Sequence, residues 1–415
     1  MNGIPHAVAL CRRSLVASAL ACAFVAAPAL AQIPGNTVRL GVLTDMSGNY
    51  AGMGGKGSVI AANMAIEDCL KAECKGLKIE LLSADHQNKA DVAAAKAREW
   101  IDRNKVNALA DLTNSAAALA IQKLALDKGV IALYSGPATT RLTNEDCSPY
   151  GFHWMFDTYS QAVGTAAALT RLGQKSWYFV TVDYAFGQSL EQDAGDVVKK
   201  LGGTVVGRIR HPLNTNDFSS YLMQAQASKA QVIGLASGGQ DTVNAIKQAR
   251  EFGVGNSQNQ RLAALLLFLS DVHALGLKTA QGLTFADGFY WDFDERTRAF
   301  SKRFEARFSG NKPTMVQAGV YSSVYHYLKA VAASQSVDAA TVAKKMREIP
   351  ISDPVMRNAS IRPDGRVIHD MYLFQVKTPA ESKAPWDYLK LVTPIPARQA
   401  FKPLDPGACK LLKPV

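Results

Sequence analysis

Small polar side chains follow a predicted strand at a position where they could bind a small carboxylate. In residues 111–120 (DLTNSAAALA), an apolar run ends just before Thr113, and Asn114 and Ser115 then lead into an Ala-rich segment with helical character. Helix N-termini have free N–H groups and a partial positive charge, which suit a carboxylate. The same residue types also cap helices where no ligand is bound, so this loop alone indicates only a cap.

Six polar loops of this kind follow strand-like runs, and they are divided between two halves of the chain. They comprise residues 44–50 (TDMSGNY), 112–117 (LTNSAA), 135–140 (SGPATT), 183–187 (DYAFG), 236–241 (ASGGQD) and 269–273 (LSDVH). In open α/β sheets, ligands bind at the carboxyl ends of the strands. The set of loops therefore predicts a cleft with one wall from each half of the chain.

Motifs for catalysis, cofactors and metals are weak in this sequence. Residues 52–57 (GMGGKG) fit G-x-G-x-x-G, but eight residues separate them from the preceding strand, and Tyr50 stands where a phosphate-binding loop needs glycine. Residues 187–191 (GQSLE) lack the final glycine of a nucleophile elbow. No C-x-x-C pair occurs and the histidines are dispersed. We therefore predict a binding protein with no catalytic residue, no cofactor and no metal site.

The N-terminus indicates an exported protein, and the distribution of charge argues against a nucleic-acid partner. Residues 1–31 combine two arginines, an apolar stretch and a final Ala-Leu-Ala, which is typical of a signal peptide cleaved before Gln32. No later segment reaches the roughly 20 apolar residues that a membrane-spanning helix needs. The formal net charge is +11, but basic residues are scattered among acidic ones. We predict a periplasmic monomer that has no nucleic-acid partner.

Four cysteines follow the predicted signal peptide, and an oxidising compartment favours disulfides between them. Four cysteines allow three pairings. Cys69 and Cys74 flank the end of one helical segment, so a local pair is compatible with the sequence and would leave Cys147 to join Cys409.

Short β-branched runs alternate with helical segments along most of the chain. Strands are predicted at 38–43, 77–84, 106–112, 130–134, 177–182, 203–209, 230–236, 262–268 and 371–376. The alternation predicts parallel sheets covered by helices. Three further helices are predicted between 296 and 349, where they would return to the first half. The predicted fold is α/β, with two doubly wound parallel-sheet domains joined by a multi-strand hinge.

We name the predicted domains lobe 1 and lobe 2. Lobe 1 comprises residues 32–155 plus 290–352, and lobe 2 comprises residues 156–289 plus 353–390. A Pro-rich C-terminal tail follows at 391–415. The chain would cross between the lobes near 152–158, 286–292 and 350–356.

An ordered set of segments resembles the branched-chain amino-acid type of periplasmic substrate-binding proteins of ABC transporters, which have the type I fold. The segments include VRLGVLTDMSGNYAGMGGKGSVIAANMAIED, SADHQNKADVAAAKARE, LTNSAAALA, SGPATTRLT, DYAFGQSLEQD and MVQAGVYSSVYHYLKA. The resemblance implies that the protein captures an amino acid or a related small carboxylate by hinge closure. It also implies delivery to an ABC transporter permease in the inner membrane.

The resemblance also implies a set of ligand-binding residues. Two loops of lobe 1 would hold the ligand carboxylate, and a loop of lobe 2 would cover the ligand with an aromatic ring. Asp271 would take the α-ammonium group, and Gly239 stands near the position where relatives have aromatic residues after a Gly-Gly pair. The other members of the predicted set are Asn114 and Ser115, which are rivals for one contact, Ala138, Thr139, Tyr184 and Phe186.

Three alternatives stay open at this point. The same fold could bind an aromatic or other non-amino carboxylate, with Trp154, Tyr184 and Phe186 stacking on the ligand. A sensory receptor could use the same closure. A periplasmic enzyme of α/β fold would need a nucleophile, metal or cofactor motif that the sequence does not offer.

Overall fold

The computed structural model describes residues 33–257 and 259–412. The predicted signal peptide at 1–31 therefore lies outside the described residues. Within the described part of the chain, no helix combines the length and the apolar character that crossing a bilayer requires.

The first sheet has five parallel strands in the order β2-β1-β3-β4-β5. Its central strands β3 and β4 are buried at every residue, as expected for parallel strands covered on both faces. The elements of this part are β1 (Thr37–Thr44), α1 (Gly55–Lys71), β2 (Lys78–Asp85), α2 (Ala90–Asp102), β3 (Ala108–Asp111), α3 (Ser115–Lys128), β4 (Ile131–Tyr134) and β5 (Gly151–His153).

Helix α2 shows how the sequence pattern produces packing on this sheet. Its buried residues Ala93, Ala97, Trp100 and Ile101 recur at helical spacing and form one face. The Trp100 ring lies over β1 at Gly41, where a Cβ atom would come within 2.5 Å of the ring. The glycine therefore makes room for the indole.

The second sheet has the order β7-β6-β8-β10-β9, and β9 alone is antiparallel to its neighbour. Two short helices, α4 and α5, come before its first strand in the chain, and a π-helical turn at 162–166 joins them. The elements are α4 (Thr158–Gln161), α5 (Ala167–Arg171), β6 (Ser176–Val182), α6 (Ala185–Lys200), β7 (Thr204–His211), α7 (Ser219–Ala227), β8 (Val232–Ala236), α8 (Gln240–Glu251), β9 (Asn256–Ser257), β10 (Gln260–Ala264), α9 (Leu269–Leu275) and α10 (Leu277–Ala280).

The remaining described chain forms four α-helices, a small antiparallel sheet, β11-β14-β15, and a two-stranded β12-β13 ribbon. Strand β15 contains Pro394 in the segment predicted as a Pro-rich tail. The elements are β11 (Thr284–Asp287), α11 (Glu295–Glu305), α12 (Met315–Ser334), α13 (Ala339–Glu348), β12 (Ser360–Ile361), β13 (Val367–Ile368), β14 (Met371–Val376), β15 (Leu389–Ile395) and α14 (Ala397–Ala400).

The helices after β11 return to the first sheet. The Arg303 guanidinium on α11 forms a bidentate ion pair with Asp68 on α1, at 2.7 and 2.9 Å, and the Tyr321 hydroxyl on α12 donates to the same carboxylate at 2.8 Å. This arrangement agrees with the predicted return of these helices. The exact lobe boundaries stay a prediction.

A buried arginine ties the first crossing segment to the C-terminal part of the chain. The Arg366 guanidinium, which is fully buried, donates to the carbonyls of Trp154 at 2.7 Å and Phe156 at 3.1 Å, and it lies 4.1 Å from the centre of the Phe401 ring. Burial lowers the pKa of Arg366 to about 10. Trp154 itself is buried in the core beside His326.

Both disulfides agree with the pairing in which neighbouring cysteines bond locally and the other two bond to each other. Cys69 bonds to Cys74 at the end of α1, and Cys147 bonds to Cys409 across 262 positions of sequence. The second disulfide fastens the end of the chain to the first-sheet half.

Candidate functional site

A small cavity lies where the strand-end loops of the first and second sheets face each other. Its volume is about 10 Å³, far below the roughly 300–1,000 Å³ typical of sites for drug-sized ligands. The two walls are therefore nearly in contact and must move apart to admit a solute. The residues that line it are Tyr50, Met53, Asn114, Ser115, Gly136, Pro137, Ala138, Tyr184, Phe186 and Leu266.

Asn114 contributes mainly to local structure at the start of helix α3. Its Oδ1 accepts a hydrogen bond from the N–H of Ala117 at 3.0 Å, and its Nδ2 donates to Oδ1 of Asn88 at 2.6 Å. Its φ of 90° turns the chain from β3 into the helix. Both polar groups of this side chain are therefore engaged within the protein.

Ser115 is the first residue of α3 and faces the neighbouring loop. Its Oγ accepts hydrogen bonds from the N–H groups of Ala138 at 3.3 Å and Thr139 at 3.2 Å. These bonds use lone pairs of the oxygen, so the hydroxyl hydrogen is available to donate. This hydroxyl donor lies at the N-terminus of a 14-residue helix, which is an arrangement that suits an anion.

Aromatic side chains from both halves of the molecule line the cavity. The hydroxyl oxygens of Tyr50 and Tyr184 are 2.6 Å apart, and the rings of Tyr184 and Phe186 have centroids 6.0 Å apart. Burial raises the pKa of both tyrosines well above its usual value, so both phenols are neutral at pH 7. One phenol donates to the other, and the accepting phenol keeps its hydrogen for a ligand.

The cavity lining contains no charged side chain. Asp45 is close in sequence to Tyr50, but its carboxylate accepts the N–H groups of Gly48 at 2.7 Å and Tyr50 at 2.9 Å and so shapes the loop. A zwitterion would therefore find no carboxylate among the lining residues to balance an ammonium group.

Asp271 does not line the cavity. It is the third residue of helix α9, and its Oδ2 accepts a hydrogen bond from the N–H of Phe268 at 3.0 Å, which closes the start of the helix. Burial raises the pKa of this carboxyl to about 7. The predicted contact with an ammonium group stays a prediction, and the hydrogen bond to Phe268 gives Asp271 a structural role.

Thr139 and Gly239 also lie outside the cavity lining, although both belong to contacts between the two sheets. The Thr139 hydroxyl is 2.7 Å from the hydroxyl of Ser189 on α6. Gly239 precedes helix α8 and packs against the backbone of Asn49, which belongs to the first-sheet half.

Four of the lining residues outside the predicted set belong to loops that the sequence marked as polar strand ends, or lie close to them. Tyr50 ends the loop TDMSGNY, Met53 follows it closely, and Gly136 and Pro137 lie in SGPATT. Nothing in the sequence indicates that Leu266 lines the cavity, because the run 262–268 is predicted as one strand. The strand ends at Ala264, and Leu266 turns into the cavity.

Comparisons with known proteins agree with this geometry. A sequence model of the family described as "Periplasmic binding protein" matches residues 37–383. A solved periplasmic binding protein from Burkholderia mallei is 48% identical, with a TM-score of 0.85 and coverage of 89% of this chain and 97% of that chain.

The names of two further relatives refer to branched-chain amino acids. A branched chain amino acid ABC transporter periplasmic ligand-binding protein from Burkholderia xenovorans is 43% identical, with a TM-score of 0.78 and coverage of 88% of this chain and 97% of that chain. The "Leu/Ile/Val-binding protein homolog 6" of Brucella melitensis is 27% identical over 298 residues, which are 69% of this chain and 75% of the relative.

Proposed function

Because the chain belongs to the periplasmic binding protein family, which consists of substrate-binding proteins and not of enzymes, we propose that it is the solute-binding component of an ABC importer. It captures one small carboxylate between lobe 1 and lobe 2 and delivers it to an inner-membrane permease. It acts in the periplasm as a monomer, after export through the signal peptide at residues 1–31. Hinge closure encloses the ligand between the two walls.

The ligand is a carboxylate with an aromatic or other apolar body that carries no ammonium group. The observation that carries this proposal is the uncharged cavity, which combines the N-terminus of α3 with an aromatic wall. The ligand carboxylate lies against the Ser115 hydroxyl at the N-terminus of α3, and the rings of Tyr184 and Phe186 cover its apolar body. An α-ammonium group buried here would lose its hydration without gaining a counter-charge.

The tyrosine pair gives the site a second point of recognition. The phenol that accepts within the Tyr50–Tyr184 pair directs its remaining hydrogen toward a ligand acceptor. A ring hydroxyl or a second oxygen on the ligand body satisfies this donor. An amino acid with an aliphatic side chain leaves the donor unpaired, which costs affinity.

A solute screen by thermal shift on the protein without residues 1–31 tests this proposal. Benzoate and 4-hydroxybenzoate are compared with leucine and isoleucine at equal concentration. A ligand present at 100 times its Kd adds about 2.7 kcal/mol to the unfolding free energy, so binding gives a clear shift. Stabilisation by the aromatic acids alone supports the proposal, whereas stabilisation by the amino acids alone contradicts the proposed ligand class.

Two variants locate the binding contacts. We expect Ser115→Ala to weaken binding of every carboxylate about 10- to 150-fold, because one hydrogen bond to a charged group is worth about 1.5–3 kcal/mol. Tyr184→Phe should weaken 4-hydroxybenzoate more than benzoate. Ser220→Ala, at an exposed serine on α7, is the matched control and should leave both affinities unchanged. Equal affinities in Ser115→Ala and the control would contradict the proposed contact between Ser115 and the ligand carboxylate.

A further inference from the structure

Helix α8 begins without a cap from its own segment. The residue before it, Gly239, has no side chain, and no side-chain hydrogen bond caps the helix from within that segment. The first N–H groups of a helix have no partner inside the helix, so they need acceptors from elsewhere. In this structure the acceptors come from the facing half of the molecule.

Asn49 supplies both acceptors from the loop that follows β1. Its side-chain Oδ1 accepts from the N–H of Asp241 at 2.8 Å, and its backbone oxygen accepts from the N–H of Gln240 at 3.1 Å. Its Nδ2 donates to the carbonyl of Gly238 at 3.0 Å. One residue of the first-sheet half therefore makes three hydrogen bonds to three residues of the second-sheet half.

Gly239 permits the close approach of the Asn49 loop. Gly239 has a φ of 63°, and a Cβ atom there would come within 2.3 Å of the Asn49 carbonyl oxygen. The Asn49 loop is held in turn by the Asp45 carboxylate, which accepts from the N–H groups on either side of Asn49. Hydrogen bonds within the Asn49 loop and the positive φ of Gly239 therefore fix the geometry of this contact.

Asn49 does not belong to the cavity lining, although it precedes Tyr50, which does. We propose that Asn49 is a positioning residue for closure, which caps helix α8 across the cleft only while the lobes are shut. This inference rests on the proposed function, because it assigns part of the closing energy to a contact that does not involve the ligand. Such a contact raises the affinity for every ligand by the same factor, through the population of the closed form.

Amide hydrogen exchange and ligand affinity test the proposal in Asn49→Ala. The exposed Asn63→Ala, whose side chain bonds only to its own helix at Val59, is the matched control. We expect Asn49→Ala to bind each ligand of the wild-type protein about tenfold more weakly, with an unchanged association rate and faster dissociation. The amide of Asp241 should exchange faster, while the amide of Gln240 keeps the backbone acceptor that the substitution leaves in place.

The amide readout separates failure of this inference from failure of the proposed function. If no carboxylate binds the wild-type protein, the proposed function fails, and slower Asp241 exchange in the wild-type protein than in Asn49→Ala still supports the cap. If Asn49→Ala and Asn63→Ala match the wild-type protein in both Asp241 exchange and ligand affinity, the cap across the cleft is refuted. A loss of affinity that differs strongly between ligands would also refute it, because Asn49 would then contact the ligand.

Discussion

Asp271→Asn separates the two roles that this acid could have. If Asp271 caps α9, asparagine keeps an oxygen that accepts from the N–H of Phe268, and binding of an aromatic acid should change less than twofold. If Asp271 pairs with a ligand ammonium group, the same variant should bind leucine at least tenfold more weakly than the wild-type protein does. We expect the first result.

The stability of Asp271→Asn relative to the wild-type protein measures how much the buried carboxyl of Asp271 costs in unfolding free energy. Burial raises the pKa of Asp271 from 3.8 to about 7. A carboxyl whose folded-state pKa lies above its unfolded-state pKa begins to cost stability above the unfolded value, and the full cost is reached above the folded value. At 1.36 kcal/mol per pKa unit, the cost of Asp271 grows by about 2.5 kcal/mol between pH 5 and pH 8. Asparagine carries no such cost.

Urea denaturation of both proteins at pH 5 and pH 8 measures this difference directly. The unfolding free energy of Asp271→Asn relative to the wild-type protein should rise by about 2.5 kcal/mol from the lower to the higher pH. Asp91→Asn is the matched control, because Asp91 also lies in the first turn of a helix but is exposed. A relative stability that stays constant with pH would refute the burial argument, and a selective loss of leucine binding would refute the proposed ligand class.

Two further predictions concern the covalent and ionic contacts that hold the C-terminal part of the chain. Replacing Cys147 and Cys409 by serine should cost about 5.5 kcal/mol of unfolding free energy, whereas removing the local disulfide at the end of α1 should cost about 2 kcal/mol. The difference follows from loop-closure entropy, because the two disulfides close loops with sequence separations of 262 and 5. Equal losses in urea denaturation would contradict this account. Arg366→Met should cost about 3–5 kcal/mol, because it leaves two buried carbonyls unpaired, whereas the same change at exposed Arg398 should cost less than about 0.5 kcal/mol. A loss below about 1 kcal/mol at Arg366 would contradict that role.

The alternation of strands and helices was predictable because buried parallel strands require continuous apolar runs. Strands β3 and β4 are short, every residue in them is buried, and their sequences are apolar apart from Asp111 at the end of β3 and the hydroxyl of Tyr134 at the end of β4. The prediction of an α/β fold with two parallel sheets is confirmed by the structure and by the family match. The predicted assignment to the branched-chain type of binding protein, rather than to an enzyme, is confirmed by the same family match and by the relatives.

Two features of the structure, strand β15 and the capping role of Asp271, could not be predicted from the sequence. Strand β15 contains Pro394, and proline usually argues against a strand, but β15 lies at the edge of its sheet, where a missing N–H leaves no partner unpaired. Asp271 follows an apolar run, and sequence spacing cannot tell an acid that caps its own helix from an acid that faces a cleft. The direction of a single side chain decides between the two, and only the packing around α9 fixes that direction.

The contacts across the cleft divide into two groups with different consequences for binding. Tyr184 lines the cavity and contacts the ligand body in the proposed complex, so a change there alters the ratio of affinities between ligands of different shape. Asn49 lies outside the cavity lining and bonds to three residues of the other wall, so a change there scales all affinities by one factor and leaves the ratios intact. Selectivity and overall affinity can therefore vary independently in this fold. A protein that kept Asn49 and its two glycine partners could exchange its cavity residues for those of another solute without losing the energy of closure.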